Sequence, residues 1–125
     1  ELALLQGREG VRPNLRLREE AERLGVSRSR IHITAPQAKL AHLQRSRNFT
    51  LFLDCFKVAS HSTGVDSLWA GVPMVSLARE KMQARVGAGL VAVLGMPELL
   101  ARTPEDYAAI VLVVVRSRAA QVRLR

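Results

Sequence analysis

The stretch Leu51-Phe52-Leu53-Asp54-Cys55-Phe56-Lys57-Val58-Ala59-Ser60-His61-Ser62-Thr63-Gly64-Val65-Asp66-Ser67-Leu68-Trp69-Ala70-Gly71-Val72-Pro73-Met74-Val75-Ser76 decides the fold. Phe49, Leu51 and Leu53 alternate toward Asp54, the pattern of a strand. A loop of small and polar residues follows. A helix starts near Ser62, with Val65, Leu68 and Trp69 at helical spacing and Gly71 just past its end. Pro73 to Ser76 then reads as a short buried strand. Strand, helix and strand joined by short connections predict parallel pairing.

Outward from this unit the alternation continues. Leu2 to Leu5 reads as the tail of a strand, followed by a loop with Gly7, Gly10 and Pro13. Asn14 is the expected cap of a helix running to about Leu24, with Leu15, Ala21 and Leu24 as apolar positions and Gly25 as its stop. Ile31 to Ile33 is a β-branched run, and His32 points out of it. Ala38 to Arg47 reads helical. Beyond Ser76, Ala78 to Leu90 reads as a helix, and Glu98 to Ala101 as a helical turn. Thr103, Pro104, Glu105 and Asp106 are strong start signals for the last helix. Its buried stripe is Tyr107, Ile110, Val111 and Val114. The arginines beyond it read as a frayed tail. The expected class is α/β, a Rossmann-like parallel sheet with helices on both faces, and 125 residues are one domain's worth. Such sheets take ligands at the carboxyl ends of their strands.

The loop after Leu53 is therefore the richest place for chemistry. Free amides at the helix start, with the positive dipole end behind them, suit an anion. Ser62 and Thr63 add hydroxyl donors, and Gly64 lets a phosphate approach the backbone. Asp66, about one turn on, suits the paired hydroxyls of a ribose. His61 can donate to a phosphate oxygen or shuttle a proton. The same residues also fit plain helix capping by Ser62 or Thr63. A second cluster is Lys39, His42 and Arg45, spaced so that His42 neighbours both cations. Its plainer reading is a solvated basic face. Phe52 and Trp69 are expected in the core, and Cys55 as a small packed residue.

Composition narrows the classes. The formal charge is +8, with 19 basic residues of which only Lys39, Lys57 and Lys81 are lysine. Aromatics are 4% and none lies in an arginine-rich stretch, which argues against nucleic acid as the main partner. No apolar run approaches the length of a membrane span. The three histidines lack metal-ligand spacing, and one cysteine forms no internal disulfide. The chain opens at Glu1 with no address signal and reads as an internal or C-terminal piece of something larger.

The run His61 to Val75 resembles the His-Thr-Thr-Gly-x-Asp-x-Leu-Trp-Ala-Gly-x-Pro-Met-Val segment of O-linked N-acetylglucosaminyltransferases. Pro13-Asn14-Leu15, Arg30-Ile31, Leu53-Asp54, Glu80-Lys81-Met82, Ala84-Arg85-Val86 and Glu105-Asp106-Tyr107 are similar to that family too. The resemblance implies a GT-B fold of two Rossmann-like halves, usually preceded by tetratricopeptide repeats. Residues 1–125 would be most of the C-terminal, nucleotide-sugar-binding half. It implies transfer of N-acetylglucosamine from UDP-GlcNAc to Ser/Thr hydroxyls of nuclear and cytoplasmic proteins, with inversion and with no cofactor or metal. Carried over by position, Gln37 and Ala38 would offer backbone contacts to the base, and Lys39 and His42 would meet the uridine. His61, Ser62 and Thr63 would hold the pyrophosphate and Asp66 the ribose. Here Ser62 replaces the usual threonine, Cys55-Phe56 a Thr-Pro, Ala59-Ser60 an Asn-Gly or Asn-Ala, and Gln37-Ala38 an Ala-Pro. The family's phosphate-neutralising lysine lies upstream of Glu1, so the chain alone is expected to be inactive. Alternatives are a SPINDLY-like fucosyltransferase using a GDP-sugar, disfavoured by His61 and Trp69, and a non-catalytic interaction domain that kept the fold.

Overall fold

The computed structural model describes residues 2–5 and 11–124, so the expected loop around Gly7 and Gly10 lies outside the described residues. The chain forms two compact units, residues 1–39 and 40–125.

In the first unit, strand β1 (Leu2–Leu5), helix α1 (Val11–Arg23) and strand β2 (Ile31–Thr34) form one strand-helix-strand crossover. The two strands pair in parallel with Leu2 opposite Ile31 and Leu5 opposite Thr34. The Thr34 hydroxyl donates to the Leu4 carbonyl at 3.2 Å, and Arg18 to the Ile31 carbonyl at 3.3 Å. Helix α1 starts earlier than expected, so Asn14 lies within it rather than capping it. Pro13 falls in the first turn, where a missing N–H costs no helical bond. Leu15 and Leu24, expected as the apolar face, are exposed. His32 is exposed, as the alternation predicts.

The second unit holds a three-stranded parallel sheet in the order β3 (Phe52–Leu53), β4 (Met74–Leu77), β5 (Leu100–Ala101). Helices α3 (Ser62–Trp69) and α4 (Val86–Val93) connect successive strands. Helix α2 (Lys39–Ser46) precedes them, and α5 (Pro104–Arg116) and α6 (Arg118–Arg123) follow. As the middle strand, β4 is buried along its whole length, with Met74, Val75 and Ser76 at 0% exposure. Around it gather Val91, Leu99, Tyr107, Val114 and Leu124. Phe52 packs on this core only partly buried.

The helix ends follow their local chemistry. Gly71 adopts φ +79 after α3, and Gly71 N–H and Val72 N–H return to the carbonyls of Leu68 and Ser67, closing the helix and turning the chain into β4. Thr103 caps α5, its hydroxyl accepting from Asp106 N–H at 3.1 Å.

Three segments differ from the periodicity. The helix expected over residues 78–90 is a short 3-10 turn (Met82–Ala84) followed by α4. The Gln83 carbonyl, which a continuous helix would use internally, instead accepts from Ala59 N–H at 2.8 Å. The turn before α5 is a 3-10 helix (Pro97–Leu99) that runs into β5, a strand too short to show alternation. The expected frayed tail is α6, capped by Ser117 and anchored by buried Leu124 and by Gln121, which donates to the carbonyls of Val114 and Val115.

One buried carboxylate ties the second unit together. Asp54, 4% exposed at the end of β3, accepts from the Ser76 hydroxyl of β4 through Oδ2 at 2.5 Å. Through Oδ1 it accepts from Cys55 N–H at 2.9 Å, Ser60 N–H at 2.6 Å and the Ser60 hydroxyl at 2.7 Å. The Tyr107 hydroxyl of α5 donates to the Asp54 carbonyl at 3.1 Å, and the Phe56 ring stands edge-on to Tyr107 at 4.9 Å. A Cβ at Gly87 would collide with this carboxylate, 2.7 Å from its Cγ and 2.9 Å from Ser76 Oγ. Gly87→Ala is therefore expected to lose about 1–3 kcal/mol to overpacking despite a helix-propensity gain of about 1 kcal/mol. Gly89→Ala, two positions on with nothing within 4 Å of the added carbon, is expected to stabilise by about 0.5–1 kcal/mol. Chemical denaturation of both variants checks the contrast. Burial, then the nearby Asp54 charge, push the Tyr107 phenol well above its ordinary value. A raised folded-state value favours the neutral phenol, so its stabilisation is present below pH about 10 and fades as pH climbs toward the folded value. Tyr107 is the sole tyrosine. Near-ultraviolet phenolate absorbance should therefore stay absent through pH about 10 and appear only at higher pH or with unfolding.

Candidate functional site

Helix α3 begins where β3 and its loop deliver the chain to the carboxyl edge of the sheet. Its N-cap residue is His61, whose side chain makes no capping bond. The capping reading of Ser62 and Thr63 is thereby corrected: both stand in the first turn, exposed. The first amides of a helix have no intrahelical carbonyl to bond, and the dipole makes that end attractive to negative charge. Asp66, half-buried, lies one turn beyond Ser62 on the same side of the helix.

The orientation of α3 is set by its small residues. Gly64 and Ser67 are buried and Leu68 is partly buried. An added Cβ at Gly64 would meet Ser60 Cβ at 3.1 Å, Met74 Sδ at 3.3 Å and Leu90 Cδ1 at 3.4 Å. This close approach leaves the stripe of Ser62, Asp66 and Trp69 facing outward. Trp69, expected in the core, is 82% exposed for that reason. Cys55, expected to be packed, is exposed as well, because its loop is held by backbone bonds to Asp54.

The second predicted cluster lies on α2. His42 is half-buried, with Nδ1 3.3 Å from Arg45 Nη2, and the Ser46 hydroxyl donates to the His42 carbonyl at 2.8 Å. Lys39 is the first residue of α2, three positions before His42, so the helical spacing read from the sequence is present. Gln37 and Ala38 are exposed in the connection between β2 and α2. The predicted residues thus fall on two elements: His61, Ser62, Thr63 and Asp66 at the start of α3, and Lys39 and His42 on α2.

None of these residues lines the cavity of roughly 220 Å³ between α5 and α6, which is apolar and bounded by Leu99, Ile110, Val113 and Leu124. Among the described residues no group of three His, Cys, Asp or Glu could hold a metal, and no helix is long and apolar enough to cross a membrane. The residues that sequence reasoning passed over are Ser60, Ser76 and Gly87, all at the Asp54 carboxylate. A usable signal was Ser76: a hydroxyl inside a fully buried strand needs a partner, and the aspartate closing the neighbouring strand is the natural one.

Comparison with known proteins identifies the family and the fold. A family model described as glycosyl transferase family 41 matches residues 7–125. The UDP-N-acetylglucosamine--peptide N-acetylglucosaminyltransferase of Caenorhabditis elegans is 37% identical over 86 residues, 69% of this chain and 8% of that protein. The "Probable UDP-N-acetylglucosamine--peptide N-acetylglucosaminyltransferase SEC" of Arabidopsis thaliana is 36% identical over 94 residues, 74% of this chain and 10% of that protein. The chain thus spans about a tenth or less of these relatives. Among solved structures, a mutant O-GlcNAc transferase of Thermobaculum terrenum superposes with a TM-score of 0.92 at 28% identity, over 98% of this chain and 24% of that one. With parallel strands joined by helices in that same arrangement, and a family match that runs from residue 7 to the last residue, the chain belongs to glycosyl transferase family 41.

Proposed function

We propose that this chain is the donor-binding part of a protein O-GlcNAc transferase, the C-terminal nucleotide-sugar-binding half of a GT-B catalytic region. The observation that carries the reading is the start of α3: an N-cap residue, His61, whose side chain makes no capping bond, exposed Ser62 and Thr63, and Asp66 one turn on. That set matches a nucleoside diphosphate, whose phosphates take amides and hydroxyls while the carboxylate takes the ribose. On this reading His42 stacks on the uracil, Lys39 meets the uridine, and Gln37 and Ala38 supply backbone contacts to the base. Relatives named as UDP-N-acetylglucosamine--peptide transferases support the choice of uridine and N-acetylglucosamine.

The chemistry asked of these residues is electrostatic. As the glycosidic bond to UDP breaks, negative charge grows on the diphosphate oxygens. Oriented amides, the Ser62 and Thr63 hydroxyls and the dipole of α3 stabilise that charge without reorganising. Holding the donor in one pose lets an acceptor Ser or Thr hydroxyl attack from the opposite face, with inversion. The reading calls for no cofactor besides the donor, and its partners are protein acceptors in the cytoplasm or nucleus. No step of it uses nucleic acid or a membrane.

UDP and GDP titrated into the chain by calorimetry test the proposal. UDP is expected to bind more tightly than GDP; preference for GDP would favour a SPINDLY-type donor, and binding of neither would leave an interaction domain. His42→Ala and Asp66→Ala are each expected to weaken UDP about tenfold or more, the scale of one charge-assisted or stacking contact, with circular dichroism unchanged. Unaltered affinity in both variants would remove the site assignment.

A further inference from the structure

Among the described residues of the second unit Asp54 is the one buried charged residue, and its bonds converge on the loop that feeds α3. A single oxygen, Oδ1, accepts from Cys55 N–H at 2.9 Å, Ser60 N–H at 2.6 Å and the Ser60 hydroxyl at 2.7 Å. The loop therefore leaves β3 and returns to it at one atom. Between those points Cys55, Phe56, Lys57 and Val58 are all exposed, and the loop turns inward at buried Ala59. Among the described residues the edge contact of Phe56 with Tyr107, the bond from Ala59 N–H to the Gln83 carbonyl and the burial of Ala59, 3% exposed, add to the anchorage. Ser60 is next in sequence to His61, the N-cap of α3, and its Cβ also bounds the space over Gly64. Ser76 on Oδ2 fixes the rotation of the carboxylate, and Gly87 leaves room for it.

We propose that Asp54 and Ser60 form a clasp that sets the position of His61, Ser62 and Thr63, making Ser60 a positioning residue for the donor diphosphate. Two of the three bonds to Oδ1 come from Ser60, so its placement is over-determined relative to an alanine, which would keep only the N–H. A small shift of Ser60 moves the start of α3 against a fixed ligand, and groups that bind through short directional bonds are sensitive to such shifts. The proposal rests on the donor-binding reading, and its test separates the two.

The experiment compares the unaltered chain, Ser60→Ala and Ser60→Thr by UDP titration at a temperature where circular dichroism shows all three folded. Hydrogen exchange of the amides of residues 60–64 is followed in parallel. Ser60→Ala is expected to bind UDP five- to tenfold more weakly, the scale of one hydrogen bond. The amides of residues 60–64 should exchange faster, while those of β4 and α4 keep their protection. Ser60→Thr, which keeps the hydroxyl, should bind within about twofold of the unaltered chain and retain slow exchange. A merely structural bond would lower the melting temperature and leave UDP affinity in the folded state unmoved, and that result overturns the clasp. So does an equal loss in Ser60→Ala and Ser60→Thr. Absence of UDP binding by the unaltered chain overturns the donor-binding reading itself and the positioning role with it.

Discussion

The Asp54 carboxylate is the constraint from which the second unit takes its shape. A charge that is 4% exposed is costly unless its oxygens are fully bonded. The Asp54 carboxylate meets that demand with donors from three places, its own loop at Cys55, the loop's far end at Ser60 and strand β4 at Ser76, while its backbone carbonyl accepts from Tyr107 of α5. The carboxylate thereby ties β3 to β4 and closes the loop, and the carbonyl of the same residue ties it to α5. The absent side chain of Gly87 belongs to the same arrangement, since the carboxylate occupies the space where a Cβ would stand. Polar bonds of this kind contribute modestly to net stability but are expensive to leave unmade, which makes them strong selectors of one geometry.

The same economy governs α3. Burial of Gly64 and Ser67 brings the helix close to Met74 and Leu90, and close approach on that side turns Ser62, Thr63 and Asp66 outward. The helix start is thus held from behind by packing and from its entry by the Asp54 loop. The side chain of its N-cap residue, His61, makes no capping bond to its amides. On the proposed reading, charge is recognised by preorganised donors whose rigidity comes from residues behind them.

The signals that were readable without coordinates share a local cause. Gly71 with its left-handed φ, Thr103 as a cap and the stripe from Tyr107 to Val114 each depend on a few neighbouring residues, and all three appear as expected. The parallel pairing of β1 with β2 and of β3 with β4 follows from strand-helix-strand order and the handedness of the chain. The grouping of His61, Ser62, Thr63 and Asp66 on one helix start was likewise a matter of spacing along the chain.

The order of elements, most of their ends and the sharing of one helix by candidate residues are therefore legible in the chain, because these are set by interactions within a turn or two. Only the tertiary structure decided which face each helix shows. Trp69 is hydrophobic and correctly spaced for a core, yet it lies outside because Gly64 and Ser67 fit closer to β4. It also decided that residues 78–81 are loop, since the Gln83 carbonyl serves Ala59, and that β5 is a strand, since two residues become one only when β4 lies beside them. Contacts between residues twenty or more positions apart, Asp54 with Ser76 and with Tyr107 above all, leave no periodic trace in a single chain. They are settled by packing and by the need of buried polar groups for partners.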